Sequence, residues 1–130
     1  MVEKIKRLPD AELEIMLVIW KAETPVNSSY ILDQLQDKRR WGLATLMTVL
    51  ARLSEKRFLI CKKQGRNNLY YAAIGENEYK ESEGKSILEK LYGNSFKSLV
   101  TSLYNGKAIS KNDLAELRDF LDRVEREGVK

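Results

Sequence analysis

Residues 42–73 read GLATLMTVLARLSEKRFLICKKQGRNNLYYAA, and the two periodicities in this stretch decide the fold. The first half predicts a helix from about Gly42 to Arg57. At a helical pitch Leu46, Leu50 and Leu53 share a sector of about 60°. Thr45, Thr48 and Arg52 share another such sector, centred about 130° away, with Lys56 at its edge. One side is therefore a leucine seam and the other carries small hydroxyls and cations. No acidic residue occurs from Gly42 to Ser54, as expected of a surface that meets phosphate. The second half changes period. Phe58–Lys63 and Leu69–Ala73 are rich in β-branched and aromatic residues around a Gly/Asn-containing gap, Gln64–Asn68, which predicts a β-hairpin.

Upstream, two further helices are expected. Leu8-Pro9-Asp10 reads as a helix start, with Glu12 and Glu14 in the first turns where the helix dipole favours carboxylates. Leu13, Met16, Leu17 and Trp20 keep the spacing of a buried stripe, and Thr24-Pro25 ends it. Asn27 is placed to cap the next helix, with Val26 and Ile31 at staple positions. Three helices followed by a hairpin describe a winged helix-turn-helix, in which the third helix enters the major groove and the hairpin lies along the backbone beside it.

Downstream the chain is helical and more acidic. A charged stretch from Asn77 to Lys90 carries Ile87, Leu88, Leu91 and Tyr92 at its end, and Gly93-Asn94 stops it. Phe96, Leu99, Val100 and Leu103 repeat the helical spacing until Asn105-Gly106. Ser110 and Asp113 form a capping-box start, after which Leu114, Leu117, Leu121 and Val124 recur at heptad spacing. Three short helices bury little by themselves. Their apolar faces, Leu88, Leu91, Tyr92, Phe96, Leu99, Val100, Leu103, Leu114, Leu117 and Leu121, either pair with a second copy of the chain or fold back on the first domain. The expected architecture is mainly α with a small β-hairpin. An N-terminal winged helix occupies residues 1–75, and a three-helix dimerisation domain occupies 76–130.

Charge separates the two parts. Residues 1–73 hold 13 basic and 8 acidic side chains, whereas 74–130 hold 10 and 11. Residues 38–66 alone carry nine cations and a single anion, Glu55, the density a polyanion-binding surface needs. The 130 residues include no histidine and one cysteine. The usual general base, a thiolate metal cluster and an internal disulfide framework are thus excluded. No Gly-rich phosphate loop, paired-carboxylate motif or nucleophile beside a base is present, so no enzymatic activity, cofactor or metal is expected. The longest apolar run, Ile15–Trp20, is too short to span a bilayer. The expectation is a cytoplasmic protein without membrane insertion.

The ordered set of residues resembles the penicillinase-repressor family. It comprises Ala11-Glu12, Ile15-Met16 and Ile19-Trp20; Trp41, Thr45, Thr48 and Arg52-Leu53; Leu91-Tyr92-Gly93; Lys97-Ser98-Leu99-Val100; and Glu116-Leu117-Arg118. The resemblance spans nearly the whole chain. It implies a homodimeric repressor on an inverted-repeat operator, controlling β-lactam resistance or a related stress operon. In the family, a membrane sensor protease triggers a cut within the dimerisation helices. The chain departs from the family pattern at three places. Ala44 and Met47 stand where a Lys and an Arg commonly precede the two threonines. Ser102 and Leu103 stand where the family's cut falls between Asn and Phe. Copper-responsive relatives carry a C-terminal cysteine cluster, whereas this chain has only Cys61, in the expected hairpin, which excludes soft-metal sensing through thiolates.

On this reading Thr45 and Thr48 contact the floor or walls of the major groove, and Arg52 grips a phosphate or a guanine edge. Lys62, Lys63, Arg66 and Asn68 contact the backbone from the hairpin. Trp41 either donates its indole N–H to a phosphate or plugs the turn before the third helix. The alternative from another class is a winged-helix protein–protein adaptor or antirepressor without its own operator, to which Ala44 and Met47 give support.

Overall fold

The structure, a computed structural model, describes residues 5–128. Its elements are α1 (Asp10–Ala22), α2 (Ser28–Gln34), α3 (Leu43–Glu55), β1 (Leu59–Gln64), β2 (Asn67–Ala72), α4 (Glu76–Tyr92), α5 (Phe96–Asn105) and α6 (Lys111–Arg126). Residues up to Gly84 form one compact unit and those from Lys85 onward a second. Among the described residues, no helix is long and apolar enough to cross a membrane.

In the first unit, α1 contributes Ile15, Met16 and Ile19 to the core, α2 Ile31, and α3 Leu46, Val49, Leu50 and Leu53. Asn27 caps α2 as expected, its side-chain oxygen accepting from the Tyr30 amide at 2.8 Å. Val26 and Ile31 are both buried in the same core. β1 and β2 pair antiparallel from Leu59↔Ala72 to Gln64↔Asn67. Gly65 and Arg66 alone form the loop, shorter than the Gln64–Asn68 gap. Gly65 takes φ +63°, the left-handed conformation that glycine adopts without steric cost.

Three features depart from the periodic patterns. The buried side of α1 is formed by Ile15, Met16 and Ile19, whereas Leu17 of the expected stripe is exposed and Leu13 and Trp20 are half-buried. Val26 exchanges backbone hydrogen bonds with Tyr70 (3.0 and 2.7 Å), adding one residue of pairing to the far side of β2. Tyr79, inside the charged start of α4, is buried against Trp20 and Phe58 with ring centroids 5.7 and 5.9 Å away. Its hydroxyl accepts from the Leu8 amide at 2.9 Å. The first half of α4 is therefore packed into the winged-helix core. The boundary between compact units falls at Gly84 rather than between residues 75 and 76.

In the second unit, α5 is capped by Ser95 and α6 by the full Ser110–Asp113 capping box. None of its described apolar side chains is buried.

Glu12 is the one buried charged residue described in the first unit, 5% exposed, and it accepts from the Lys56 ammonium just beyond α3. Both carboxylates assigned to the α1 dipole thus also hold cations, Glu12 that of Lys56 and Glu14 that of Arg39. Lys56→Met leaves the Glu12 carboxylate uncompensated. Breaking a buried pair is strongly destabilising, and because Lys56 stays partly wet the expected loss is about 2 kcal/mol. The urea unfolding midpoint of the full chain measures it, and an unchanged midpoint would show that the pair contributes nothing.

Candidate nucleic-acid interface

The outward side of α3 is built by the same pattern that buries its leucines. Thr45, Thr48 and Arg52 are exposed, as are Leu43, Ala44 and Met47. The Thr48 hydroxyl donates to the Ala44 carbonyl at 3.1 Å. This back-bond uses its only proton and leaves the oxygen as an acceptor.

The nine cations of residues 38–66 divide into two groups. Arg39 and Lys56 are held by α1. The Arg39 guanidinium donates to both oxygens of Glu14, at 2.7 and 3.4 Å. Its pKa is raised further by that hydrogen bond and by the Glu14 and Asp10 charges, against a smaller desolvation effect. The other seven, Lys38, Arg40, Arg52, Arg57, Lys62, Lys63 and Arg66, are exposed and form no ion pair with a described residue. Lys56 therefore does not extend the α3 outer side.

Trp41, just before α3, is half-buried against the core, and the Arg39 guanidinium lies 5.5 Å from its ring centroid. Stacking and the Glu14 ion pair together fix the entry of the chain into α3. The turn-plug reading of Trp41 describes this packing.

In the hairpin, strand alternation separates residues that adjoin in sequence. Lys63 and Asn68 pair directly, on the face they share with Cys61 and Tyr70. The Tyr70 hydroxyl reaches the Met47 sulfur of α3 at 3.9 Å, so this face adjoins the third helix. Lys62 lies on the opposite face with Leu69 and Tyr71. There it lines a groove of about 460 Å³ with Ile19, Trp20, Pro25 and Tyr71 among others. Arg66 occupies the exposed loop tip. Among the described residues no three or more metal-ligating side chains come together.

The downstream faces are exposed or half-buried. Leu91, Phe96, Leu103 and Leu121 are exposed, Leu91 at 72%. Leu88, Tyr92, Leu99, Val100, Leu114 and Leu117 are half-buried. Phe120, absent from the heptad reading, is 49% exposed with Arg123 over its ring at 5.7 Å. Ser102 and Leu103 both lie inside α5. The Ser102 hydroxyl accepts from Tyr92 at 3.3 Å, and its carbonyl accepts from the Gly106 amide at 3.0 Å.

Three helices, a hairpin and a cation-flanked third helix define the class: a winged helix-turn-helix of the DNA-binding kind. The family model for the penicillinase repressor matches residues 8–123. The penicillinase repressor of Bacillus licheniformis is 32% identical over 120 residues, 92% of this chain and 93% of that protein. The methicillin resistance regulatory protein MecI of Mammaliicoccus sciuri is 29% identical over 92% of this chain and 97% of its own length. The solved DNA-binding domain of the repressor BlaI is 37% identical, covering 60% of this chain and 94% of that one, with a TM-score of 0.51. Bacillus licheniformis BlaI, solved in monomeric form with the blaP half-operator, is 38% identical over 58% and 92% of the two chains, with a TM-score of 0.50. The chain belongs to the penicillinase repressor family, a family of transcriptional repressors.

Burial raises the Tyr70 phenol above its ordinary value, and the neighbouring Cys61 acts in the same direction, against a smaller effect of Asn68. A folded-state pKa above the unfolded value contributes stability that is complete below about pH 10 and is lost as pH rises through the folded value. Tyr70→Phe removes that titration. Thermal unfolding between about pH 9 and 11 is expected to fall more steeply for the natural chain than for the variant, and parallel profiles would contradict the assignment.

Proposed function

We propose that this chain is a homodimeric repressor that occupies an inverted-repeat operator through one winged helix per half-site. The observation that carries the reading is the outer side of α3, free of acidic residues from Gly42 to Ser54, within a stretch whose seven exposed cations have no carboxylate partner among the described residues. Each phosphate contact releases condensed counterions, so such a surface gains most of its affinity from a duplex. Thr45, Thr48 and Arg52 face the bases or the groove walls, and Lys63, Arg66 and Asn68 contact the backbone from the hairpin. Lys62, on the opposite strand face, is the least favoured of the hairpin contacts. Trp41 orients the start of α3 and presents its remaining exposed edge to the sugar–phosphate chain.

The dimer reading rests on the second unit. Side chains as large as Leu91, Phe96, Leu103, Phe120 and Leu121 stand exposed there, with none of the described apolar groups buried. A second copy covering these faces removes them from water, the dominant favourable term in association. The names of the relatives, a penicillinase repressor and a methicillin resistance regulator, support an operon of β-lactam resistance or a related stress response. Relief then acts on residues 76–130, because two linked half-site contacts lose their effective-concentration advantage when the dimer parts. The Ser102–Leu103 bond lies inside helical α5. A membrane sensor protease that grips extended substrate reaches it only after local unfolding.

Three measurements test the proposal. Arg66→Ala is expected to weaken binding alike on all duplexes and flatten the salt slope by about one unit, whereas Thr48 variants alter base preference at one or two positions per half-site. Identical behaviour would overturn the division of roles. Absence of any salt-dependent retention of promoter DNA in a gel shift would favour the protein–protein adaptor. In sedimentation, Leu91→Asp with Leu121→Asp is expected to halve the mass, and an unchanged mass would refute these positions as the seam.

A further inference from the structure

The side of α3 offered to the bases is short of hydrogen-bond donors. Its first two turns expose Leu43 (53%), Ala44, Thr45, Met47 (36%) and Thr48. Thr48 has committed its proton to the Ala44 carbonyl, and the Met47 sulfur already accepts from Tyr70. What remains for hydrogen bonding over these turns is the Thr45 hydroxyl and the Thr48 oxygen, with the Arg52 guanidinium a turn further on.

Base chemistry can be matched to this surface by elimination. Direct readout of guanine takes a paired cation at O6 and N7, of adenine an Asn or Gln at N6 and N7, and of cytosine a carboxylate at N4. α3 contains no Lys, Asn, Gln or Asp, its one cation, Arg52, lies a turn beyond these residues, and its Glu55 lies at the last residue. Thymine alone presents a methyl group to the major groove, and its natural partner is an apolar side chain or the methyl of Ala or Thr. The surrounding cations, meanwhile, select a polyanion over an apolar protein partner.

Resting on the operator-binding reading, we infer that Leu43, Ala44, Met47 and Thr48 read thymine C5-methyl groups, so that each half-site carries a run of thymines under the first two turns of α3. Selectivity comes from apolar contact with the methyls, while the cations supply affinity that does not depend on sequence. Arg52 adds one polar contact at the edge of the run.

The test uses the full chain and duplexes it selects from a random-sequence library. Thymines are expected to be enriched in each half-site. Replacing one of them by deoxyuridine, which deletes only the methyl, is expected to weaken binding about fourfold, the worth of one buried carbon. The same replacement outside the half-site is expected to leave binding unchanged. Met47→Ala is expected to abolish the deoxyuridine effect at one position of the half-site while leaving it at the others. Selected duplexes that bind equally well with deoxyuridine would overturn the methyl reading and leave operator binding standing. Failure to select any duplex, or retention without salt dependence, would overturn operator binding and this inference with it.

Discussion

The burial of one side of α3 is the constraint on which the molecule depends. Leu46, Val49, Leu50 and Leu53 lie in the core with Ile15, Met16, Ile31, Phe58 and Leu59, and at a helical pitch that burial turns Thr45, Thr48 and Arg52 outward. Fold and interface are two consequences of one amphipathic pattern. A rotation of α3 about its axis would expose leucines and bury a guanidinium, each unfavourable by more than a surface contact returns.

Two ion pairs refine that placement. Glu12 and Glu14, two residues apart on α1, hold Lys56 beyond the end of α3 and Arg39 before its start. Arg39 in turn covers Trp41. The helix is therefore tied at both ends to the same scaffold helix, and two of the nine cations serve the fold rather than a partner. This division matters for the electrostatics. On the proposed reading the polyanion meets the remaining cations of the turn, α3 and the hairpin, Lys62 excepted, and their reach is limited by salt screening.

Most of this was legible in the sequence because periodic burial leaves periodic residues. The leucine spacing of α3, the Asn27 and Ser110 caps, and the β-branched and aromatic runs around the Gly/Asn turn of the hairpin each state a local rule that the folded chain obeys. Single long-range contacts leave no such trace. Tyr79 is one aromatic residue in a charged run, so its place between Trp20 and Phe58 could not be read from spacing, and nothing in the spacing shows that the start of α4 packs with the first unit. The Val26–Tyr70 bridge is one residue long, too short for any alternation. Glu12 and Glu14 satisfy the dipole rule, which masked their partners 44 and 25 residues away. Lys62 and Lys63 adjoin in sequence yet face opposite ways, a distinction that appears only once the register is fixed.

The second unit completes the account from the opposite physical situation, apolar side chains with no interior to enter. Leu91 and Phe96 stand exposed on this unit, and on the proposed reading a second copy covers them. On the proposed reading the outer side of α3 is the surface laid on DNA. Amide chemical-shift mapping of the labelled full chain, titrated with its selected duplex, tests it most directly. The account predicts that the largest changes fall on residues 43–52 of α3 and 63–68 of the hairpin. Changes concentrated instead around Trp20, Pro25 and Tyr71, with α3 unmoved, would contradict it.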